Sequence, residues 1–150
     1  MNAIKGFKEE WSFLSNFAAV KLQYDGIVYP SSEHLYQAIK FNNQEVRFEI
    51  SQLPTAGAAK RAGRDPKYTE YLLAEWDDIK YNVMYDICLL KFSTAKFKKL
   101  LLETGDRYIE ETNVWGDTYW GVCKGVGENN LGKILMSIRD LIKENENVNE

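Results

Sequence analysis

Histidine, cysteine and proline are all scarce in this chain of 150 residues, which holds one histidine, two cysteines and three prolines. The two cysteines, Cys88 and Cys123, lie far apart, and with His34 as the only histidine the sequence lacks the closely spaced ligands of a zinc site. We therefore expect two reduced thiols, no bound metal and no cofactor.

An excess of charge and long apolar runs are also missing. Nineteen basic and 22 acidic side chains give a net charge of −3 and a pI near 5.3, which excludes tight non-specific binding of nucleic acid but permits a local basic pocket. No uncharged run reaches the roughly 18 residues of a membrane span, and the first residues lack the apolar stretch of a signal peptide. We expect a cytoplasmic protein without a membrane partner.

The composition of the chain is typical of a globular domain, with 45% hydrophobic and 13% aromatic residues. A chain of this length buries roughly 70% of its unfolded surface, so one core can form without disulfides or metal. We predict a single domain with its core at about 7–142 and a solvated, frayed polar tail at 143–150. The sequence does not indicate the oligomeric state.

The pattern of apolar residues predicts an α+β fold, mainly helical, with a small β-hairpin. Alternating residues on both sides of Asp25-Gly26 indicate the hairpin, and Ser31 or Ser32 can cap a helix that begins near Glu33. Further helices are predicted from these features: Val46, Ile50 and Leu53 before Pro54; the segment 55–62; Ile79, Val83, Ile87 and Leu90 after a cap at Asp77; Phe97, Leu100 and Leu101 before Gly105; and Leu131 to Leu141 after a cap at Asn129 or Asn130.

The segment 114–132 is unusually rich in glycine and tryptophan, with five of the ten glycines and two of the four tryptophans. Long loops in compact domains commonly carry function, since glycine lets the backbone approach a ligand and aromatic rings supply flat walls. The residues from Gly127 to Lys133 have the spacing of a P-loop, but Ile134 follows where that motif requires Ser or Thr. Gly125-Val126-Gly127 lacks the third glycine of a dinucleotide-binding fingerprint. The sequence therefore predicts neither site.

Several polar residues have both a structural and a functional interpretation. Glu33 is either an ordinary first-turn carboxylate or a catalytic group, and Asp117 either a turn residue or a carboxylate held among aromatic rings. His34 is interpreted as a packed or half-exposed side chain, and Trp76 and Trp115 can be core residues. Lys40, Arg64 and Lys124 are interpreted as solvated unless two cations converge on a phosphate.

Several motifs, in order along the chain, resemble the NADAR family, also called YbiA-like. They are Phe13-Leu14-Ser15-Asn16-Phe17; Pro30-Ser31-Ser32-Glu33-His34 with Gln37 and Lys40-Phe41; Gly63-Arg64; Trp76 with Met84; Lys91-Phe92; Trp115 to Gly121; and Asn129 to Gly132 with Met136 and Arg139. The likeness extends from about Phe13 to Arg139. Val122-Cys123-Lys124 stands where YbiA-type members have further small residues. This difference weakens the expectation that the substrate is an intermediate of riboflavin synthesis.

The resemblance implies an α+β NADAR fold and hydrolysis of an N-glycosidic bond. Its substrate would be a phosphoribosylamino-pyrimidine of riboflavin biosynthesis or an ADP-ribosylated nucleobase, notably guanine, with modified DNA as one form. The alternative is a non-catalytic module that binds ADP-ribose or NAD.

The same resemblance implies two catalytic carboxylates, Glu33 and Asp117, with the division of acid, base and stabiliser left open. The implied substrate-binding residues are Asn16, Lys40, Arg64, Trp76, Trp115, Trp120 and Asn129. The chemistry of each type fits: a carboxylate stabilises positive charge at C1, tryptophan stacks on a base, and Lys40 with Arg64 binds phosphate.

Overall fold

The computed structural model describes residues 1–148 and contains, within that range, six α-helices and six short strands. The elements are β1 (Ile4–Lys5), β2 (Ala19–Tyr24), β3 (Ile27–Ser31), α1 (Ser32–Ile39), α2 (Gln44–Ser51), α3 (Ala56–Ala62), α4 (Trp76–Phe92), α5 (Ala95–Glu103), β4 (Ile109–Glu110), β5 (Thr112–Asn113), β6 (Val122–Cys123) and α6 (Asn130–Val148). Two 3-10 helices lie at Glu9–Leu14 and Pro66–Tyr71. The predicted α+β class, mainly helical with a small hairpin, is confirmed.

Contacts within the chain define two compact units. The hairpin unit comprises residues 16–87. The terminal unit comprises residues 1–15 together with the described chain from Cys88 onward, so α4 begins in one unit and ends in the other.

In the hairpin unit, an antiparallel pair leads directly into α1. β2 and β3 meet across the predicted Asp25-Gly26 turn, where both residues have positive φ, +51° and +80°, as a tight type I′ hairpin requires. β3 ends at Ser31, whose side chain accepts a hydrogen bond from the His34 N–H at 3.1 Å. The serine thus caps α1 as predicted.

Helix α1 is the centre of this unit, because every residue from Ser32 to Ala38 is buried. α2 and α3 both pack against it. Each has a side-chain cap: Asn43 accepts from the Val46 N–H and Thr55 from the Ala58 N–H, both at 3.0 Å. The predicted second and third helices are therefore present.

Helix α4 differs in its start and its buried face from the sequence prediction. It begins at Trp76, so Asp77 is a first-turn residue and not the predicted cap. Leu90, expected on the inner face, is 39% exposed, whereas Lys91 is fully buried. Ile87 of the predicted face is buried, but Lys91 takes the inner position that the spacing of apolar residues assigns to Leu90.

Two parallel strand pairs organise the terminal unit, and the sequence predicted neither. β1 pairs with β4, with Ile4 opposite Ile109, and β5 pairs with β6, with Thr112 opposite Val122. The first pair extends the packed chain beyond the predicted limit at residue 7, since Ile4 is buried. Pairs of two residues are too short to show a period in sequence.

Helix α6 begins where the sequence predicts, directly after Asn129, but its capping groups and its end differ from the prediction. The N–H groups of Asn130 and Leu131 donate to the carbonyls of Tyr119 and Trp120, at 3.2 and 3.0 Å, so loop carbonyls replace the expected asparagine side-chain cap. The helix continues to Val148, and Lys143 donates to the Gly105 carbonyl at 2.8 Å. The tail predicted to fray at 143 is thus helical up to 148; residues 149–150 lie outside the described range.

Both cysteines are free, Cys88 buried and Cys123 half-buried. No helix within residues 1–148 is both long and apolar enough to cross a membrane. Over the same described range, no cluster of three or more His, Cys, Asp or Glu side chains could hold a metal ion.

Lys91 is an unusual core residue of the terminal unit. Its Nζ donates to the Ser15 carbonyl at 2.9 Å and lies 5.0 and 5.2 Å from the ring centres of Phe92 and Phe97. Burial lowers the pKa of Lys91 from 10.5 to about 8. Because the folded state disfavours the charged amine, the unfolded chain binds a proton at Lys91 between pH 8 and 10.5 that the folded chain has released.

The stability contributed by Lys91 should therefore rise with pH across that window. We expect the free energy of unfolding of wild type minus that of Lys91→Met to increase from pH 8 to 10.5, by on the order of 2–3 kcal/mol. Denaturant unfolding at several pH values measures this, and Lys99→Met, at an exposed position of α5, is the control. A difference that stays constant with pH would contradict the interpretation.

Candidate active site

Glu33 is a buried carboxylate, with 7% of its surface exposed, in the first turn of α1. Its N–H donates to the Asn16 carbonyl at 3.0 Å, which fixes the chain before β2 against the start of the helix. The helix dipole favours a negative charge at this end. Strand β3, the Ser31 cap and the Asn16 contact therefore place an acidic group in a sheltered position.

The carboxylate is linked to a lysine through one amide side chain. Gln37, one turn further along α1, donates from Nε2 to Glu33 Oε1 at 2.8 Å. Its Oε1 accepts from Lys40 Nζ at 3.4 Å, and the same ammonium donates to the Gly63 carbonyl at 3.1 Å. We call this arrangement the Gln37 bridge; it joins Glu33, Gln37, Lys40 and Gly63.

Lys40 is not the solvated cation that the sequence suggested. Burial lowers its pKa, and the positive charge of Arg64 lowers it further, while Glu33 and Asp77 act in the opposite direction. Lys80, in the second turn of α4, contributes a smaller repulsion. Arg64, from the turn after α3, and Lys80, from α4, thus both lie within electrostatic range of Lys40 at the end of α1, and a phosphate there would relieve the repulsion on Lys40.

An aromatic pair stands beside this cluster in the hairpin unit. The Trp76 ring, at the start of α4, lies 5.1 Å from that of Tyr36 at an interplanar angle of 56°, and both side chains are mostly buried. The Leu73 N–H donates to the Lys40 carbonyl at 3.0 Å, which brings the chain before α4 to the end of α1. Asn16 Nδ2 donates to the sulfur of Met84 at 3.4 Å, on the same helix.

Of the two states that the sequence left open for His34, the structure has the packed one. Its Nε2 donates to the Leu53 carbonyl at 3.0 Å, so Nδ1 accepts from the Ser31 hydroxyl at 2.6 Å. Burial lowers the pKa of His34, which favours this neutral tautomer. Both ring nitrogens are used in joining β3, α1 and the end of α2.

In the terminal unit, Asp117 organises the loop that carries the predicted tryptophans. Its Oδ1 accepts from the N–H groups of Tyr119 and Trp120, at 3.1 and 2.9 Å, which is the geometry of a turn-capping aspartate. The Tyr119 and Trp120 rings lie 4.7 Å apart, edge to face. Trp115 is 61% exposed, so it is not a core residue.

The side chain of Asn113 forms hydrogen bonds with both the N–H and the carbonyl of Asp117. It accepts from the Asp117 N–H at 3.1 Å and donates to the Asp117 carbonyl and to Glu111 Oε2, both at 2.9 Å. A Cβ on Gly121 would overlap the Glu111 carboxylate and carbonyl. Glycine at 121 is therefore needed for packing within the loop, in contrast to the role in ligand approach that the sequence suggested.

Asn129 is a buried connector, with 3% of its surface exposed. It accepts from the Glu111 N–H at 2.9 Å and donates to the Ile109 carbonyl at 2.9 Å and the Tyr108 hydroxyl at 3.2 Å. These bonds tie β4 to the start of α6. Gly132 leaves the space that this amide occupies.

The predicted site residues fall into two groups. The hairpin unit contains Asn16, Glu33, Lys40, Arg64 and Trp76; the terminal unit contains Trp115, Asp117, Trp120 and Asn129. Sequence reasoning gave no role to Gln37, Gly63, Lys80, Glu111 or Asn113. The i, i+4 spacing of Glu33 and Gln37 on one helix face could have indicated their pairing.

Comparison with known proteins identifies the family. The NADAR domain model matches residues 5–143, which include the whole hairpin unit and most of the terminal unit. The chain belongs to the NADAR family. The resemblance found in the sequence motifs is thereby confirmed.

Two of the relatives that the chain matches over most of its length are named N-glycosidases. The chain is 36% identical to N-glycosidase YbiA of Escherichia coli over 88% of this chain and 82% of that protein. It is 32% identical to N-glycosidase Npun_R5314 of Nostoc punctiforme, over 90% and 88% of the two chains. The predicted class, a hydrolase acting on N-glycosyl compounds, is confirmed at the level of the family.

A longer relative and a solved structure extend the comparison. The riboflavin biosynthesis protein VVA0006 of Vibrio vulnificus is 35% identical over 91% of this chain, which corresponds to 37% of that protein. The NMR structure of E. coli YbiA matches with a TM-score of 0.82 at 33% identity, covering 97% of this chain and 89% of the other. The NADAR fold predicted from sequence is therefore confirmed.

The turn at Asp117 can be tested by separating its geometry from its charge. Asp117→Ala removes the acceptor of two N–H groups and should lower the free energy of unfolding by about 1–2 kcal/mol. Asp117→Asn keeps an acceptor oxygen and should lose much less. Chemical unfolding measures both; equal losses in the two variants would contradict the turn-capping role.

Proposed function

We propose that this NADAR protein hydrolyses the N-glycosidic bond between a nucleobase and a ribosyl group that carries phosphate. The observation that carries the proposal is the Gln37 bridge, which places a sheltered carboxylate one helical turn from an amide and two turns from a cation, with Arg64 close enough to act on Lys40. A carboxylate and a cation pair match the two charged parts of such a substrate.

Cleavage of the glycosidic bond requires positive charge at C1 to be stabilised as the base leaves. The C1–N bond breaks with its electron pair going to the base, and water adds to C1 and loses a proton. Glu33 stabilises the developing charge and accepts that proton. Its low exposure strengthens this attraction, because little water screens it.

Lys40 and Arg64 bind the phosphate of the ribosyl group. Arg64 offers a two-pronged donor and Lys40 a point charge held by Gln37 and Gly63. Lys80 adds a third positive charge. A bound phosphate would favour the protonated form of Lys40, which burial otherwise disfavours.

The aromatic and loop residues have proposed supporting roles. In the hairpin unit, Trp76 packs on Tyr36 and offers a flat surface to the sugar or base. The Asn16 carbonyl accepts from the Glu33 N–H and so places Asn16 beside the start of α1. In the terminal unit, Trp115, Trp120 and Asn129 stay predicted substrate-binding residues, and Asn129 accepts from the Glu111 N–H. Asp117 as a second catalytic carboxylate stays a prediction, with Oδ1 already engaged in the turn.

Two substrate classes fit the proposal and both carry ribose phosphate. One is an ADP-ribosylated nucleobase, with ADP-ribosylated guanine in DNA as the form to test; the other is a phosphoribosylamino-pyrimidine, which the name of the Vibrio relative favours. The purified chain should release a free base or a free sugar phosphate from one of them in the presence of EDTA. Chromatography with mass detection measures the products; release from neither would contradict the proposal.

The central variant is Glu33→Gln, which keeps the shape and removes the charge. We expect its rate to fall by at least about a hundredfold, the usual contribution of a positioned acid or base. Glu45→Gln is the matched control, because Glu45 is an exposed first-turn carboxylate of α2. Initial rates at saturating substrate measure the effect, and a Glu33→Gln variant as fast as Glu45→Gln would remove Glu33 from the mechanism.

The phosphate site is tested at Arg64, which is exposed and can be changed without disturbing the bridge. Arg64→Gln should raise KM for the phosphorylated substrate by about ten- to a hundredfold, the worth of one charged hydrogen bond. Cleavage of the matching substrate without phosphate should not change. Lys67→Gln, another exposed cation of the hairpin unit, serves as the control; equal KM values for the two variants would count against the site.

A module that binds ADP-ribose without cleaving it is the alternative, since the same cations and aromatic rings could hold that ligand. Calorimetry with ADP-ribose and product analysis in the same samples separate the two. Tight binding without turnover of either substrate would favour the binding module.

A further inference from the structure

The backbone conformation at position 63 does not require glycine. Gly63 follows α3 with φ of −60° and ψ of −17°, in the right-handed helical region that all residues adopt. Its N–H continues the helical hydrogen bonding by donating to the Ala59 carbonyl at 3.1 Å. Alanine would be favoured here by helix propensity. The cause of the missing side chain must lie in what surrounds the residue.

The space beside Gly63 is filled by the Gln37 amide. A Cβ at position 63 would overlap Gln37 Oε1 and lie 2.6 Å from its Cδ. Gln37 is itself buried, with 6% of its surface exposed, on a helix packed against α3. The amide therefore cannot move aside into open solvent, and a side chain at 63 would displace it from its present position.

The position that Gly63 protects is the one from which Gln37 reaches both charged groups. Since a carboxylate can only accept and an ammonium can only donate, the amide has one orientation, with Nε2 toward Glu33 and Oε1 toward Lys40. The Gly63 carbonyl holds the same ammonium. One glycine thus leaves room for the amide and supplies an acceptor for the cation.

We propose that Gln37 is the positioning residue for the Glu33 carboxylate and that Gly63 is required because it leaves the space for the Gln37 amide. This rests on the proposed function, since it takes Glu33 as the catalytic carboxylate. By donating to Oε1, the amide fixes the plane of the carboxylate and favours its ionised form. Position 63 therefore controls the catalytic acid–base group without touching it.

The test compares three single variants with wild type. Gln37→Met keeps the length of the side chain and removes the donor. Gly63→Ala adds the Cβ that displaces the amide, and Gly57→Ala, in the first turn of α3, adds a Cβ whose nearest atom is 3.6 Å away. The Gly57 variant should be as active as wild type and no less stable.

The readout is the pH profile of kcat/KM for the cleaved substrate. Because Glu33 must be ionised to act, the acid limb of the profile should move to higher pH by about one unit in both Gln37→Met and Gly63→Ala. A purely structural defect would lower the rate at all pH values without moving the limb. An unmoved limb in both variants, with Glu33→Gln inactive, would overturn the inference.

A second measurement does not depend on activity. Carbon NMR of the Glu33 carboxyl, assigned by its loss in Glu33→Gln, should show titration at a higher pH in Gln37→Met than in wild type or Gly57→Ala; identical titrations would overturn the inference even if the enzyme is active. If Glu33→Gln keeps full activity while these titrations differ, the proposed function fails and the link between Gln37 and Glu33 survives as a structural fact.

Coupling between the two positions gives the last check, by thermal unfolding. If Gly63 is required only by the Gln37 amide, Gly63→Ala should lower the unfolding midpoint in wild type but not in a Gln37→Ala background. A loss of the same size in both backgrounds would assign Gly63 to another contact and overturn that part of the proposal.

Discussion

The rest of the proposed site depends on a carboxylate withdrawn from water at the first turn of a helix. A buried charge is costly unless hydrogen bonds and opposite charges compensate it. Glu33 lies at the positive end of the α1 dipole, accepts a hydrogen bond from Gln37 and is attracted by Lys40. The hairpin before α1 and the Ser31 cap determine where that turn begins. Local structure therefore decides the electrostatics of the group on which hydrolysis is proposed to depend.

Three glycines in this protein leave space for polar groups of the protein itself. Gly63 leaves room for the Gln37 amide, Gly121 for the Glu111 carboxylate and Gly132 for the Asn129 amide. In each case a polar side chain reaches backbone or charged partners that a Cβ would block. The glycine-rich segment also serves α6, because the carbonyls of Tyr119 and Trp120 accept from the first N–H groups of that helix.

The sequence predicted elements whose signals are local. The Asp25-Gly26 hairpin, the Ser31 cap and the helices α2 and α3 follow from turn chemistry and apolar spacing over a few residues. The two-residue parallel pairs could not be predicted, because Ile4 and Ile109 meet only in the folded chain. On α4, Ile87 is buried as predicted, but Lys91 lies inside in place of Leu90, because the spacing of apolar residues cannot indicate a buried lysine.

The candidate site shows the same limit. Sequence motifs pointed to Glu33, Lys40 and Arg64, but the link through Gln37 needed the rotamers of α1, and the role of Gly63 needed the packing of α3 on α1. Residue type and spacing indicate which groups are present. They do not show which amide lies between them.

The most direct measurement is calorimetric binding of two ribose phosphate mimics to wild type and Glu33→Gln. One is a pyrrolidine with a positive charge at the position of the reacting centre, and the other its neutral tetrahydrofuran counterpart. If Glu33 stabilises positive charge at C1, the charged mimic should lose at least about tenfold in affinity on Glu33→Gln, a difference of about 1.4 kcal/mol, while the neutral mimic binds both proteins equally. Equal losses for both mimics, or none, would contradict the account.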